Sequence, residues 1–231
     1  MNYRMKFSIA SAAVLVFVLA IHPVDAQHGH AEGMSSGHRH HQRFDDPEKW
    51  SKSFDDPARD SWQRPDDVIR SLAPNADARI ADIGAGTGYF TVRLARSVPR
   101  GIVFAVDIER KMVEHIAARA KEVGLSNVRG VVAGETSARL PEPVDLVLLV
   151  NVYHHIEKRM DYMRDLASSL RRGGRVAIIE ARPDAEQGPP KHFRLAVTRI
   201  DEEMAAAGYR RIAQRDFLPR QNFLVYERSD R

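Results

Sequence analysis

The sequence predicts an α/β domain on a seven-stranded, mostly parallel sheet whose last strand runs antiparallel. Three observations lead there. From residue 65 onward, short apolar runs alternate with stretches of helical periodicity, the pattern of parallel strands joined by crossover helices. A glycine-rich turn, Gly84-Ala85-Gly86-Thr87-Gly88, sits between the first such run and the helix after it. The chain closes with two strand-like runs joined by a short connection through Leu218-Pro219, which suits an antiparallel pair.

Taken in order, Pro65-Asp66-Asp67 opens a short helix carrying Val68, Ile69 and Leu72. Arg79 to Ile83 is the first strand, ended by Gly84. Tyr89 to Val98 is a helix, with Phe90, Leu94 and Val98 at fourfold spacing on one face. Gly101 to Val106 is the second strand. Lys111 to Val123 is the next helix, with Met112, Ile116, Ala120 and Val123 on its buried side and Gly124 as its stop. Val128 to Val132 is the third strand. Asp145 to Asn151 is nearly all apolar, as expected of a strand covered on both faces. Lys158 to Leu170 is a helix, and Gly173-Gly174 turns the chain into a fifth strand, Arg175 to Glu180. Ile200 to Ala207 is the last helix, stopped by Gly208, before strands Tyr209 to Asp216 and Phe223 to Glu227.

The segments before residue 65 read differently. Arg4 and Lys6 precede an apolar run from Phe7 to Ile21, and Pro23-Val24-Asp25-Ala26 places small or branched side chains where a signal peptidase reads. Residues 1–26 are therefore expected to be an export signal, with delivery to the periplasm or medium. The alternative is an uncleaved membrane anchor, for which the run is short against the ~20 residues a spanning helix needs. With the signal removed, no stable membrane insertion is expected. Residues 27–43 are rich in His, Gly and Ser without apolar periodicity and are expected to be disordered. Their His28, His30, His38, His40 and His41 are chemically suited to zinc, copper or nickel, but their spacing fits no rigid site. Residues 44–64 hold an echo, Phe44-Asp45-Asp46-Pro47 and Phe54-Asp55-Asp56-Pro57, each followed by a tryptophan. Asp before Pro caps and starts a helical turn, so two short helices are expected. Their aromatics are expected to pack the extension over the main domain, residues 65–231, as a lid or substrate wall.

Composition removes several function classes. The chain of 231 residues has no cysteine, which excludes disulfides, thiolate catalysis, thiolate metal sites and a lipidated cysteine anchor. The net charge of +4 falls to +3 without Arg4, Lys6 and Asp25. Arg210, Arg211, Arg215 and Arg220 gather near the end, but acids are mixed among them, so no nucleic-acid surface is expected.

The chemistry concentrates at Asp82-Ile83-Gly84-Ala85-Gly86-Thr87-Gly88. Glycines let the backbone turn sharply and approach a ligand, and the following helix start offers free N–H groups. Asp107, at the end of the second strand, is placed to accept both hydroxyls of a ribose, and it could also cap the helix after it. A dinucleotide fingerprint would require glycine at position 89, which is Tyr89. Asp82 would repel a pyrophosphate but attract a sulfonium or ammonium, by roughly 4 kcal/mol at 4 Å for an effective dielectric near 20.

With these motifs in order, the chain resembles the class I S-adenosyl-L-methionine (SAM)-dependent methyltransferases, in particular the ubiquinone and menaquinone biosynthesis type. Asp82 to Gly88 resembles their first motif, and Val103 to Asp107 with Ile108 and Met112 the ribose-binding motif. Gly134-Glu135 resembles the segment whose acid meets the adenine amine, with Glu135 one methylene longer than the usual Asp. Asp145 to Asn151 with Tyr153-His154-His155 resembles the fourth-strand motif, and Leu170 to Arg175 the turn before strand five. The resemblance covers roughly residues 64 to 228. It implies a Rossmann-like methyltransferase fold with strand order 3-2-1-4-5-7-6 and SAM as cofactor. It also implies a cofactor site of Asp82, Gly84, Ala85, Gly86, Gly88, Asp107, Ile108, Glu135 and Asn151.

Methyl transfer from a sulfonium is an in-line displacement, so much of the catalysis can come from alignment. A base is needed where the acceptor carries a proton to lose. His154, His155 and Tyr153 are the candidates, or else they are structural residues opening a helix. The expected acceptor is a small molecule of unidentified kind, and arsenite is disfavoured by the absence of cysteine. Export leaves a second reading, an exported SAM-fold protein that binds a ligand without methylating it. The oligomeric state is left open.

Overall fold

The computed structural model describes residues 44–229. The expected export signal and the His-rich segment with His28, His30, His38, His40 and His41 lie outside the described residues. The elements run α1 (Pro47–Phe54), α2 (Arg59–Gln63), α3 (Pro65–Leu72), β1 (Arg79–Ile83), α4 (Tyr89–Ser97), β2 (Ile102–Asp107), α5 (Arg110–Glu122) and β3 (Val128–Val132). They continue with β4 (Val144–Val150), α6 (Arg159–Ser168), β5 (Leu170–Ala181), α7 (Val197–Ala206), β6 (Tyr209–Arg215) and β7 (Gln221–Arg228).

The sheet order is β3-β2-β1-β4-β5-β7-β6. Strands β1 to β5 pair in parallel, and β7 runs antiparallel to both β5 and β6, as the sequence predicts. Alternation along each strand feeds two cores. Ala81, Ile83, Val147 and Leu149 face α6 and α7 through Met163, Leu166, Ile200 and Met204. Their neighbours Ile80, Leu146 and Leu148 face α3 and α4 through Val68, Leu72, Phe90 and Leu94. Each fully buried Leu or Phe is worth roughly 1.5–3 kcal/mol, so the all-apolar run in β4 is what a strand between two helical layers requires. This stacking holds the carboxyl ends of β1, β2, β4 and β5 at one edge, where ligands of such sheets bind.

Three details differ from the expectation. Helix α6 ends at Ser168, and Leu170 begins β5, pairing with Val144. The register then shifts between Val144 and Leu146, so that Arg175 pairs with Leu146 and the Gly173-Gly174 turn lies inside the strand as an irregularity. Val123 stands on the exposed side, since α5 gives way to its C-cap there and the helical phase no longer applies. Helix α2 starts at Arg59 rather than at Pro57, because Asp56 uses its carboxylate in a local turn to the N–H of Ala58. Helix α1 does follow the expected capping, with Asp46 Oδ1 accepting from Lys49 N at 3.0 Å and Pro47 in the first turn.

Candidate active site

The glycine turn is fixed by the end of β2. The N–H groups of Gly84 and Ala85 both donate to the carbonyl of Val106, at 2.8 and 3.0 Å. Gly86 N donates to Asp107 Oδ2 at 2.9 Å, and Glu109 N donates to Asp107 Oδ1 at 2.9 Å. Asp107 thus does both things open to it: it caps the turn into α5 and it holds the loop. Burial pushes its pKa up, against the hydrogen bonds from Glu109 and Gly86. Each oxygen keeps an acceptor position beyond those backbone bonds.

Gly84 and Gly86 have φ of +67° and +57°, a region that side chains with a Cβ resist. A Cβ on Gly84 would also run into Val152, and one on Gly86 would lie 3.3 Å from the Phe54 ring. Beneath the loop, Asp82 is 3% exposed and takes a 2.6 Å hydrogen bond from Thr91 Oγ1 in the first turn of α4. Desolvation pushes its pKa up to about 7, with the Thr91 bond working against it and the neighbouring Asp107 adding to it. Ile108 is 55% exposed directly after the acid, an apolar side chain facing outward where a ring could lie on it.

The extension lands on this loop. Asp55 Oδ1 accepts from Thr87 Oγ1 at 3.0 Å and from Arg119 of α5 at 2.7 Å, and Arg119 also donates to Thr87 O. Tyr89 donates its hydroxyl to Asp60. Trp50 stacks on Phe54 at 5.3 Å between ring centres, and Phe44 closes the cluster at 4.7 Å from Trp50. Arg59 lies over the Tyr89 ring at 4.1 Å and donates to Phe54 O and to Gln63. Desolvation lowers its pKa, while Tyr89, Asp55 and Asp82 act to raise it.

At the end of β4, Asn151 adopts φ of +55°, and its amide oxygen accepts from Gln221 at 2.8 Å. Gln221 in turn accepts from Gln63 at 2.7 Å, which ties α2, β7 and β4 together inside the protein. Tyr153, His154 and His155 form a single 3-10 turn. Tyr153 is fully buried, and its hydroxyl donates to Glu203 of α7 at 3.0 Å, with Arg159 binding the same carboxylate. That direction takes Tyr153 away from the loop and into the core. His154 pairs through Nδ1 with Glu180 at 2.6 Å, and His155 sits exposed beside Phe44, with 5.6 Å between ring centres. Glu135 lies exposed two residues past Ala133, whose N–H donates to the Asp107 carbonyl. The structure therefore gathers Asp82, Gly84, Ala85, Gly86, Gly88, Asp107 and Ile108 at one edge, with Asn151 and the histidines beside them. Asp55, Arg59 and Glu180 carried no role in the sequence analysis. Asp55 alone carried a signal, as part of the repeated Asp-Asp-Pro. Among the described residues no group of three His, Cys, Asp or Glu is arranged for a metal ion, and no helix is long and apolar enough to cross a membrane.

Residues 80–174 match the family model described as a methyltransferase domain. This stretch of the chain is a methyltransferase domain. A ubiquinone biosynthesis O-methyltransferase of Parvibaculum lavamentivorans is 29% identical to it over 109 residues, 47% of this chain and 42% of that protein. A malonyl-[acyl-carrier protein] O-methyltransferase of Methylococcus capsulatus is 34% identical over 48% of this chain and 39% of its own. The chain thus spans less than half the length of these relatives. A SAM-dependent methyltransferase from Aquifex aeolicus superposes with a TM-score of 0.72 at 22% identity, covering 78% of this chain and 97% of the other. A magnesium protoporphyrin IX methyltransferase from Synechocystis PCC 6803 with bound SAM gives 0.55 at 18% identity, covering 86% and 87%. At these identities the likeness establishes the fold of the methyltransferase domain.

Proposed function

We propose that the protein is a SAM-dependent methyltransferase acting on a small-molecule acceptor. The observation that carries this reading is the Gly86–Asp107 hydrogen bond, which fixes a glycine cradle above the buried Asp82. The residues present fit SAM. Asp107 offers carboxylate oxygens to a ribose, and Ile108 offers an apolar face to an adenine. Asp82 is a carboxylate whose pKa is raised chiefly by desolvation, and a facing α-ammonium would stabilise its ionised form. Arg59 lies close enough to Asp82 for their charges to interact and suits the carboxylate at the same end of the ligand. The ligand supplies a methyl group on an already activated sulfur. What this chain adds is alignment of the acceptor and exclusion of water, for which the Phe44, Trp50 and Phe54 rings beside the loop are suited.

Calorimetry with SAM and with its demethylated product tests the reading directly. Micromolar binding of both supports it, and the absence of binding to either would end it. We also propose that residues 1–26 direct export, on the basic start, the short apolar run and the small residues before Gln27. Amino-terminal sequencing of protein from an exporting host is expected to begin at Gln27; an intact Met1 in the cytoplasmic fraction would overturn that. Export motivates the second reading, a ligand-binding protein that keeps the fold without the reaction. Tight SAM binding with no methyl transfer across a broad acceptor panel would favour it.

A further inference from the structure

The methyltransferase reading makes no use of a groove that α3, α4 and α5 form between them. Its volume is about 430 Å³. Arg93 and Arg96 of α4 and Arg119 of α5 line it, with Val92 and Val123 as apolar wall and Asp66 of α3 as the acid among them. Three cations against one acid leave the lining with an excess of positive charge. Asp66 does little to offset it. Its side chain is 80% exposed and 3.8 Å from Arg93 Nε, a contact that water screens.

The guanidiniums keep donors for a ligand. Among the described residues, the Arg96 side chain enters no hydrogen bond or ion pair. Arg119 uses Nη1 for both Asp55 Oδ1 at 2.7 Å and Thr87 O at 2.8 Å, which leaves its Nε and Nη2 donors. Arg93 gives Nη1 to Tyr89 O and Nη2 to the two oxygens of Asp60, at 3.1 Å each. Planar forks of this kind match the several oxygens of a phosphate, and three of them call for more than one negative charge. The volume is in the range of small-molecule sites, so two linked phosphates have room. The same arginines also hold the extension. Asp55 caps the end of α1 and Asp60 lies in α2, so Arg119 and Arg93 serve the groove and the extension together.

We propose that this groove is a regulatory site for a soluble polyanion with two adjacent phosphate groups, held by Arg93, Arg96 and Arg119, and that its binding loosens the extension from the glycine loop. An anion among the three guanidiniums competes with Asp60 for Arg93 and with Asp55 for Arg119. Weakening the Arg119–Asp55 contact also releases Thr87, whose hydroxyl donates to Asp55 and whose carbonyl accepts from Arg119. The loop and the wall beside it then lose a shared tie. Bound SAM and bound polyanion therefore oppose each other, and linkage makes the effect equal in both directions. That opposition rests on the methyltransferase reading above; the anion site itself does not.

The probe is inorganic pyrophosphate, titrated by calorimetry into the full chain without SAM. One site per chain is expected, and potassium chloride at matched ionic strength is expected not to reproduce it. Arg96→Gln is expected to weaken pyrophosphate at least fivefold. Val123→Glu, an acid placed on the groove wall at an exposed position, is expected to abolish binding. Arg100→Gln makes the same charge change on an exposed arginine outside the groove and is expected to leave affinity within twofold. All three variants are expected to keep the circular dichroism of the unaltered protein and its SAM affinity within twofold. Absence of pyrophosphate binding, or binding that ignores both Arg96→Gln and Val123→Glu, would overturn the site. Vesicles containing phosphatidic acid offer the same phosphate chemistry on a lipid, and no cosedimentation is expected. Cosedimentation that Arg96→Gln abolishes would overturn the soluble ligand. In the Trp62→Phe protein, Trp50 emission is expected to change as pyrophosphate saturates. SAM and pyrophosphate are expected to weaken each other by the same factor, at least threefold. Unchanged Trp50 emission with normal pyrophosphate binding would overturn the loosening of the extension. If the chain binds no SAM at all, the methyltransferase reading fails, while the pyrophosphate titration and the Trp50 response still decide this one.

Discussion

Phe54 of the extension lies against Gly86 of the cofactor loop, so close that a Cβ on that glycine would come within 3.3 Å of its ring. The two residues belong to segments with different sequence character, an aromatic–acidic extension and a glycine turn. Their meeting sets the extension beside the glycine turn. A methyl-transfer site needs walls that the sheet edge does not provide, and α1 is positioned to provide one.

That contact predicts a fluorescence response. Trp50 stacks on Phe54, whereas Trp62 packs under Arg220 with its ring 5.2 Å from the guanidinium. Saturating SAM is expected to change the emission of the Trp62→Phe protein and to leave that of the Trp50→Phe protein nearly unchanged. If neither tryptophan responds, the extension is not a lid.

Substitution at Gly86 is expected to remove binding while the fold survives. Its φ of +57° costs an L side chain roughly 1–2 kcal/mol, and a branched one would also press on Phe54. Gly86→Val is expected to retain its circular dichroism and to show no calorimetric signal with SAM. Retained affinity in a folded Gly86→Val protein would refute the loop assignment.

Asp107→Ala is expected to weaken SAM binding by about 1–3 kcal/mol, through lost charge-assisted hydrogen bonds to the ligand and lost support of Gly86 N. Unchanged affinity would remove Asp107 from the site.

Asp82 predicts a pH dependence of definite sign. Its pKa in the folded protein is pushed up from the ordinary 3.8 to about 7, chiefly by desolvation. Between those values the folded state holds a proton that the unfolded state has lost. The stability this group contributes is therefore full below its ordinary pKa and is lost as pH rises toward 7, by up to about 4 kcal/mol at 1.36 kcal/mol per unit. Ligand binding runs the other way. A bound ammonium favours the ionised form, so SAM affinity is expected to rise from pH 5.5 to 8 with proton release on binding. Asp107, also shifted upward, adds to the same trend. Asp82→Asn is expected to flatten most of both slopes, as read by thermal melts and by calorimetry in buffers of different ionisation enthalpy.

The amide chain Gln63–Gln221–Asn151 is a stability element. Gln63 is fully buried, and Gln221 is 3% exposed. Gln63→Ala is expected to leave the Gln221 oxygen unpaired and to cost about 1–3 kcal/mol in urea denaturation. Gln63→Glu, which brings a buried charge, should cost more.

Much of this molecule is local, and the local part was legible. Strand β1 from Arg79 to Ile83 and β3 from Val128 to Val132 follow from short apolar runs bounded by turn residues. Gly84, Gly86 and Asp107 follow from what a tight approach to a ligand demands of a backbone. The shift of Leu170 into β5 was hidden because a leucine closing a helix and one opening a strand look alike when glycines follow. The tie between Gln63 and Gln221 spans 158 residues, and no spacing rule reaches that far.

The sequence by itself determined the layered sheet and the acidic glycine loop, because strand alternation, helical phase and positive φ are properties of neighbouring residues, whereas the strand order was implied only by the resemblance to a known family. Tertiary structure decided the roles within Tyr153-His154-His155. A 3-10 turn has three residues per turn, so successive side chains point about 120° apart. Tyr153 goes into the core to Glu203, His154 to Glu180 at the sheet edge, and His155 out to Phe44. Three residues carry too little pattern to set that phase. It is set by where α7, β5 and the extension place a carboxylate or a ring to receive each one.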